Sequence, residues 1–164
     1  MVLGIDPGLH GALALLDDAG RLVHVWDMPS VKEARRSTIP APLLDNVMGE
    51  ITRSVVGYDM PRAVLEKVGA MPGQGVTSMF NFGCSVGLIR GFLSAYGMTV
   101  TEVAPNIWKA RMGLTGKAKD ASRTKAIELY PAHAELFKLK KHEGRAEAVL
   151  IAAWGHQNPT RLNR

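Results

Sequence analysis

The sequence predicts an α/β fold in which a mixed β-sheet carries helices on its faces. Three short apolar runs separated by turn residues open the chain of 164 residues, which indicates three antiparallel strands. Further along, strand-like and helix-like segments alternate, and this order is typical of strands joined through helices. The predicted order βββαβαβαα therefore combines antiparallel and parallel pairs in one sheet.

The first three strands are expected at Val2–Asp6, Ala12–Leu16 and Leu22–Asp27. The sequence Asp17-Asp18-Ala19-Gly20 between the second and the third is a strong hairpin signal. The first strand ends in Asp6, at a position where a buried strand usually carries an apolar side chain. We therefore interpret the first two strands as a hairpin with a carboxylate at the point where the first strand enters the turn.

The middle of the chain begins with a polar segment, residues 28–38, that we expect to be a mobile loop. A helix is predicted from near Pro40 to near Gly57, because apolar residues recur there at helical spacing. The next run, Ala63–Val68, has the composition of a strand and contains Glu66 near its end. Glu66 is the second acid placed close to the end of an apolar segment.

A glycine-rich loop leads into a helix predicted over Val76–Ala95. Gly83, Gly87 and Gly91 follow one another at four-residue steps, so they lie on one ridge of that helix. Because each glycine costs up to about 1 kcal/mol relative to alanine in a helix, the ridge indicates close backbone contact. The sheet is the favoured neighbour, and a second copy of the protein in a dimer is the alternative.

The last third is expected to contain one strand, over Met98–Val103, and two helices. A short turn through PNIWKARMG follows the strand, and Asp120 is the expected N-cap of a helix that runs to Tyr130. Residues 1–156 are expected to form one domain, and residues 157–164 a frayed tail. The final helix carries an apolar stripe that should pack on the sheet, made of Ala146, Val149, Leu150 and Ala153.

Basic residues are concentrated in the C-terminal part of the chain. The net charge is +5; residues 105–164 contain 12 Lys or Arg against 5 Asp or Glu, whereas residues 1–104 contain 8 against 10. Lys and Arg beside phosphates release condensed counterions, so this asymmetry predicts a polyanionic partner. An ordinary basic surface is the alternative.

The single cysteine, Cys84, excludes an internal disulfide and a zinc site built from several cysteines. We expect it to be a small buried side chain in a protein of a reducing cytoplasm. No uninterrupted apolar run approaches the roughly 18 residues of a membrane span, so neither membrane insertion nor export is expected.

Two further acids, Glu143 and Glu147, lie four residues apart on the last predicted helix. Their carboxylates lie on one face of the helix within about 6 Å of each other, so their negative charges repel. A cation between the two carboxylates would offset this repulsion. Hard divalent ions such as Mg²⁺ prefer such oxygen ligands, so these acids could join Asp6 and Glu66 around one metal centre. A solvated helix face is the alternative interpretation of the pair alone.

Three acidic segments in this order carry a resemblance to a known family. The motifs "GIDPG", "VLEKV" and "HEGRAEAVLIAAWG" resemble those of the RuvC family of Holliday-junction resolvases, within the ribonuclease H-like superfamily. The stretch "PNIWKARMGLTGKAKDASRTKAIELYP" resembles the phage-type members and the chloroplast junction resolvases of plants in particular. The similarity extends over most of the chain.

The resemblance implies a ribonuclease H-like α/β domain with a five-stranded mixed sheet whose first three strands are antiparallel. It also implies a homodimer that cuts two opposed strands of a four-way DNA junction with Mg²⁺, two ions per site, or Mn²⁺ in its place. Paired hydrolysis would leave 5′-phosphate and 3′-hydroxyl ends. Asp6 and Glu66 match the first and second catalytic acids, while Glu143 and Glu147 match those of the last helix. One departure is that typical members space the last two ligands by three positions, which here falls on Gly144.

Basic and aromatic residues complete the expected site. Lys119 matches the basic residue of the phage and chloroplast branch and is preferred to Lys117 as the lysine that stabilises the transition state. His142 could contact a phosphate or position water, or be a surface histidine. Met79 and Phe80 could wedge into an opened junction, although Phe80 could equally be a core residue, and Trp108 is expected to be a packing anchor. The phosphate-binding surface is expected to include Arg35, Arg36, Lys109, Lys117, Lys140, Lys141 and Arg145.

Three other functions compete with this interpretation. A sugar-kinase-like ATPase needs a second phosphate loop and more than twice this length, so no nucleotide cofactor is expected. A non-catalytic branched-DNA-binding module would leave the four acids unexplained. A generic ribonuclease H acting on RNA:DNA hybrids shares the metal chemistry and differs in substrate. The expected location is the cytoplasm of a bacterial or phage-infected cell, with an organelle-targeted form as the alternative.

Overall fold

A five-stranded mixed sheet forms the centre of the protein. The computed structural model describes residues 1–33, 36–70, 73–118 and 120–159, and only the backbone of Glu33 and Arg36. The main sheet has the strand order β3-β2-β1-β6-β7, and β4 and β5 form a separate two-stranded sheet. The strands are β1 (Val2–Asp6), β2 (Ala12–Leu16), β3 (Leu22–Asp27), β4 (Val31–Glu33), β5 (Arg36–Thr38), β6 (Arg62–Glu66) and β7 (Val100–Val103).

In the part of the chain that the structure describes, five α-helices surround the sheets. They are α1 (Ala41–Ser54), α2 (Val76–Ala95), α3 (Pro105–Arg111), α4 (Ala121–Leu129) and α5 (Glu143–Gln157), with short 3₁₀ segments at Pro131–Leu136 and Lys140–His142.

The pairing of β1 brings two acids to one edge of the sheet. β1 runs antiparallel to β2, and β2 antiparallel to β3, whereas β6 and β7 continue the sheet in parallel. Ile5 lies opposite Leu65 in the parallel pair, so the next residues, Asp6 and Glu66, end neighbouring strands at the same edge. The predicted mixed sheet with three antiparallel strands first is confirmed.

Alternation along the strands separates two cores. On one face, side chains such as Leu3 and Ile5 pack with residues of α1 and α2. On the other face, Val2, Ala12 and the residues in phase with them pack with α3, α4 and α5. Because successive side chains point to opposite faces, Asp6 and Glu66 lie on the face that α5 covers.

Glycines let α5 lie unusually close to β1. A Cβ built on Gly4 would stand 2.3 Å from the backbone oxygen of Ala148 and 2.3 Å from the backbone nitrogen of Ala152. At the start of α5, a Cβ on Gly144 would stand 2.1 Å from the backbone oxygen of His10. A methyl group fits at neither position, so the distance between helix and sheet is set by the absence of side chains.

Several sequence-based expectations were wrong or incomplete. The segment at 28–38 contains the paired strands β4 and β5 rather than only a loop, and PNIWKARMG contains the helix α3 rather than only a turn. Asp120 precedes α4 at the N-cap position, but its side chain makes no capping hydrogen bond. At the C-terminus, α5 extends to Gln157, and the side-chain amide of Asn158 donates to the Trp154 carbonyl over 2.8 Å.

The glycine ridge of α2 does not face the sheet. Gly83, Gly87 and Gly91 are exposed, and a Cβ added to any of them would meet no atom within 4 Å. Cys84 is exposed as well, so both expectations of burial are wrong. The helix presents this uncovered ridge because its opposite side, with Val86, Ile89 and Leu93, packs on the core.

We expected no segment that could span a membrane, and α2 requires a qualification of that expectation. Within the described residues, α2 alone is long and apolar enough to cross a bilayer by length and composition. It is interrupted by polar residues, among them Asn81, Ser85 and Arg90, and Arg90 pairs with Glu102 on β7. Its apolar character is better explained by one side packed on the core and another left uncovered.

The tight helix–sheet contact predicts that Gly4→Ala destabilises the protein strongly. The new methyl group would collide with the backbone of α5, which cannot move aside like a flexible side chain, so we expect a loss of about 3 kcal/mol or more. The matched control is Gly49→Ala in α1, where the nearest neighbour of a Cβ is the tip of Arg53 at 3.4 Å. That change should stabilise the protein by roughly 0.5–1 kcal/mol. Urea unfolding followed by circular dichroism measures both, and equal effects would contradict the role given to Gly4.

Candidate active site

The first acid, Asp6, ends β1 and begins the turn into β2. The backbone N–H of Gly8 donates to its Oδ1 over 3.1 Å, and Gly11 closes the turn by donating its N–H to the Gly8 carbonyl over 2.8 Å. A Cβ on Gly11 would lie 2.1 Å from the backbone oxygen of Asp6, so this turn requires glycine. The turn therefore fixes the orientation of the carboxylate.

Burial raises the pKa of Asp6 from its ordinary value of 3.8 to about 7. The Gly8 N–H and the charge of Lys109 act against this shift, while the charges of Glu147 and Glu66 add to it. The Asp6 carboxylate thus lies beside two other acids in a half-buried place. Its ionised form at neutral pH needs a cation nearby.

The second acid, Glu66, is the last residue of β6 and is buried. The indole N–H of Trp108, from α3, donates to its Oε1 over 2.9 Å. Burial raises the pKa of Glu66, the Trp108 hydrogen bond lowers it, and the charge of Glu147 raises it further. Glu66 and Asp6 therefore both interact with the same residue of α5.

Glu147 is the residue of α5 with which both acids interact. It lies one helical turn after the first residue of α5, at the contact with β1. Its Oε1 is 3.0 Å from the Lys109 Nζ and accepts a long hydrogen bond of 3.4 Å from the Ser122 hydroxyl. Burial lowers the pKa of Lys109, but the hydrogen bond and charge of Glu147, with the charges of Glu66 and Asp6, raise it overall. Lys109, which also lies 5.0 Å from the Trp108 ring centroid, is the cation of this cluster.

The fourth acid, Glu143, lies one helical turn before Glu147, at the first residue of α5. The two glutamates line a cavity of about 200 Å³ together with Lys109, Lys117 and Ser122. A cavity lined by both acids and lysines can accept both a metal ion and a phosphate group. Both of the lysines named were predicted from sequence as phosphate ligands.

The structure thus brings Asp6, Glu66 and Glu147 together, with Glu143 one turn away. Within the described ranges, no three acidic or histidine side chains are placed to hold one ion as they stand. One oxygen of each of the three clustered acids faces a protein donor, namely Gly8, Trp108 or Lys109. The donor set nevertheless fits a hard divalent cation in its chemistry, because among the described residues these three carboxylates share one lysine, Lys109.

A second basic surface begins at the other side of the α5 N-terminus. Lys141, His142 and Arg145 line a cavity of about 240 Å³ with His10 and Asp27. Arg145 donates from Nε to Asp27 Oδ1 over 2.6 Å and from Nη2 to Oδ2 over 2.5 Å. This bidentate pair occupies the guanidinium that was predicted to bind phosphate, and it holds the pKa of Asp27 below its ordinary value through the Arg145 hydrogen bonds.

His142 is buried, so its interpretation as a surface histidine was wrong. Its Nδ1 accepts a long hydrogen bond of 3.4 Å from the Leu139 N–H, which closes the 3₁₀ turn before α5. Burial and the charges of Arg145 and Lys141 lower the pKa of His142. The neutral ring, with Nδ1 as acceptor, carries its proton on Nε2.

The remaining predicted residues fall into three groups. Lys140 and Lys141 are exposed just before α5, and Met79 is half-buried on α2. Phe80 is 71% exposed, so its interpretation as a core residue was wrong and its wedge role stays a prediction. Arg35 and Lys119 lie outside the described residues, and of Arg36, in β5, only the backbone is described.

Sequence reasoning missed the two contacts that α3 makes with the acids. Lys109 was expected on the phosphate-binding surface and Trp108 was expected only to pack; Trp108 is indeed fully buried, but it also binds Glu66. The signal that could have found them was Pro105, which suits the first turn of a helix and occupies that place in α3. A helix at 105–111 would have placed residues 108 and 109 next to the sheet edge.

The strand order and the helices on both faces give a ribonuclease H-like fold, similar to that of RuvC. Thermus thermophilus RuvC in complex with a Holliday junction substrate matches with a TM-score of 0.65 and 16% identity, covering 96% of this chain and 93% of that chain. Thermus thermophilus RuvC alone matches with a TM-score of 0.61 and 16% identity, over 96% of this chain and 94% of the other. These likenesses establish the predicted fold.

A sequence relative points to the same group. The chloroplastic Holliday junction resolvase MOC1 of Chlamydomonas reinhardtii is 32% identical in an alignment 156 residues long, and the match covers 84% of this chain. The match covers 18% of that relative, so the chain spans less than a fifth of its length. No model of a protein family matches the chain. The resemblance to the RuvC family, with its chloroplast branch, is confirmed by these comparisons.

The raised pKa of Asp6 predicts how stability changes with pH in the metal-free protein. Folding favours the protonated acid, so its contribution is fully present below about pH 4 and is lost as the pH rises to about 7. An asparagine at this position cannot ionise and keeps an oxygen for the Gly8 N–H. In EDTA at pH 8, Asp6→Asn should therefore be more stable than the wild type, on the order of 1–3 kcal/mol, and the difference should shrink towards pH 4.

The matched control is Asp17→Asn in the β2–β3 turn. Slight burial would raise the pKa of Asp17, but hydrogen bonds from the Arg21 backbone and guanidinium lower it overall. The sign is therefore opposite: Asp17→Asn should lose stability at neutral pH, and the loss should disappear in acid. Thermal unfolding from pH 4 to pH 8 measures both variants. An Asp6→Asn variant that is less stable than the wild type at pH 8 would contradict the assignment of Asp6 as a half-buried acid whose charge the protein only partly neutralises.

Proposed function

We propose that this protein is a metal-dependent endonuclease that resolves four-way DNA junctions by paired, symmetric phosphodiester hydrolysis. The observation that carries the proposal is the cluster of Asp6, Glu66 and Glu147 around Lys109 at the edge of a RuvC-type sheet. A protein that only binds DNA gains nothing from buried acids beside phosphates, since they repel each other and the ligand.

Divalent ions would be held by the carboxylates of Asp6, Glu66, Glu143 and Glu147. We expect two Mg²⁺ ions, with Mn²⁺ as a substitute, because both are hard cations that take carboxylate oxygens. When bound, such ions neutralise the charge that develops on the phosphoryl oxygens during hydrolysis. Among the described residues, the four carboxylates outnumber the ammonium groups of Lys109 and Lys117, and this surplus of negative charge favours the binding of cations.

The chain's own residues would orient the reaction. The Gly8 N–H and the Trp108 indole hold Asp6 and Glu66 in place, and the Ser122 hydroxyl contacts Glu147. Lys109 and Lys117 line the same cavity as Glu143 and Glu147. Ammonium groups in that cavity would stabilise the charge of a bound phosphate. Lys119 remains a candidate for the same role. The products would carry 5′-phosphate and 3′-hydroxyl ends.

The choice of a branched substrate is supported by relatives rather than by geometry. The relative from Chlamydomonas is described as a Holliday junction resolvase, and one structural neighbour is in complex with a Holliday junction substrate. The lysines before α5 and the exposed Phe80 suit a ligand with phosphates and unstacked bases. Since that relative is chloroplastic, an organelle-targeted form is as compatible with the proposal as a bacterial or phage protein.

Cutting two opposed strands needs two sites, which a homodimer provides. On α2 the exposed residues Phe80, Cys84, Gly87 and Gly91 follow one another at steps of four, three and four. That spacing is typical of helices that pack side by side, and small residues allow close approach. We propose that two copies of α2 meet along this stripe.

Asp6→Asn should abolish junction cleavage while DNA binding is retained. The amide is a poor ligand for a divalent ion, so the cleavage rate should fall on the order of 1000-fold, whereas the loss of a negative charge leaves affinity for DNA unchanged or higher. The measurement uses a four-way junction labelled on each strand in turn, with Mg²⁺ or EDTA, and Asp17→Asn as the control that cuts normally.

Linear duplex and an RNA:DNA hybrid in the same experiment separate the alternatives. Paired, symmetric nicks confined to the junction would support the proposal. Tight binding of the wild type without nicks would favour the non-catalytic module, and cleavage of the hybrid would favour a generic ribonuclease H. An Asp6→Asn variant that cuts at the normal rate would refute the metal site.

Gly87→Arg should convert a dimer into a monomer without unfolding it. A Cβ added at this position would meet no atom within 4 Å inside the protomer, so an arginine can project from the α2 stripe and block a partner helix. The matched control is Val56→Arg, because Val56 is 77% exposed and lies outside α2. Light scattering after gel filtration gives the mass of each, and cross-linking through the native Cys84 gives a second readout. A Gly87→Arg dimer would exclude this surface.

A further inference from the structure

The indole of Trp108 is the one donor that reaches the second acid of the site among the described residues. Its Nε1–H lies 2.9 Å from Glu66 Oε1, and Trp108 is fully buried. Packing alone needs the ring and not the N–H. A buried indole N–H without an acceptor is costly, so Trp108 and Glu66 constrain each other.

The backbone around Glu66 is fixed, but its side chain is not fixed by the sheet alone. Glu66 pairs with Val103 of β7, and Ile5 pairs with Leu65 on the other side. A glutamate side chain still has several rotamers at the end of a strand. The charge of Glu147 repels the Glu66 carboxylate, so in the absence of a donor the side chain would favour rotamers that turn it away from the cluster.

Trp108 is suited to keep the Glu66 side chain in the cluster, because the surrounding core holds its own ring in place. It belongs to the apolar core formed by α3, α5 and the strands, which holds the ring on all sides. Its neighbour Lys109 contacts Glu147 from α5 over 3.0 Å. Two adjacent residues of α3 thus bind acids that come from two different elements.

We propose that Trp108 is a positioning residue for the metal site: its indole N–H holds Glu66 towards Asp6 and Glu147, so that divalent ions bind tightly. This inference rests on the proposed function. It assigns to α3 the task of setting the distance between the acid of β6 and the acid of α5. Phenylalanine at position 108 would keep most of the packing and remove only the donor and part of the ring.

The chain contains a matched control for this change. Trp26 on β3 donates its indole N–H to Glu50 Oε2 over 2.8 Å, on the opposite face of the sheet. Trp26→Phe therefore removes the same kind of hydrogen bond from a buried tryptophan outside the acid cluster. A general loss of stability should be similar in the two variants.

The test measures metal binding directly, without DNA. Electron paramagnetic resonance of free Mn²⁺ gives the dissociation constant of the wild type, Trp108→Phe and Trp26→Phe. Second-layer partners of metal ligands typically contribute 10–100-fold to affinity, so Trp108→Phe should bind Mn²⁺ about tenfold more weakly and Trp26→Phe like the wild type. High Mg²⁺ should restore junction cleavage in Trp108→Phe, because the defect is in ion binding. Equal affinities in all three proteins would overturn the inference.

A second measurement on the wild type does not depend on whether the variants fold. The indole N–H resonance of Trp108 should shift when Mg²⁺ is added, because its acceptor becomes a metal ligand, while that of Trp26 should stay in place. An unchanged Trp108 resonance at saturating Mg²⁺ would overturn the inference and leave the proposed function standing. A wild-type protein that binds neither Mn²⁺ nor Mg²⁺ and cuts no junction would refute both.

Discussion

The close contact between α5 and β1 determines where the acids of the candidate site can lie. Gly4 on the strand and Gly144 at the helix start leave no room for a methyl group, and alanines of α5 face Gly4. The helix therefore lies directly on the strand, and Glu147 comes within electrostatic reach of Asp6 and Glu66. With larger side chains at this contact, the carboxylate of α5 would stand farther from the sheet edge. The site follows from the packing.

Assembling these acids has an electrostatic cost that the surrounding residues only partly offset. Burial and mutual repulsion raise the pKa of Asp6 and Glu66, while the Gly8 N–H, the Trp108 indole and Lys109 stabilise the ionised forms. The protein thus holds a site that is incompletely neutralised by its own groups. Such a site gains free energy from a bound cation, which connects the stability of the fold with its proposed chemistry.

The sequence allowed β1, β2 and β3 to be placed residue by residue, because apolar runs and turn residues alternate clearly there. It did not predict α3, whose seven residues are too few for a periodic pattern, nor the paired strands β4 and β5, which have three residues each. In α2 the bounds were right but the buried face was wrong. That helix is apolar on most sides, so periodicity does not indicate which side meets the core. Among the site residues, Asp6 and Glu66 were found as acids in apolar strands, whereas the Trp108 contact depends on the tertiary position of α3 and leaves no local signal.

The space between Gly4 and the α5 backbone has a consequence for how this chain can change over time. Any larger side chain at position 4 would need a shift of the whole helix, and that shift would carry Glu147 away from Asp6. Positions 4, 148 and 152 are therefore coupled in evolution: a larger side chain at position 4 is tolerated only with a compensating change in the helix that faces it. Function constrains these residues although none of them has a polar side chain, because what they contribute to the site is the absence of atoms.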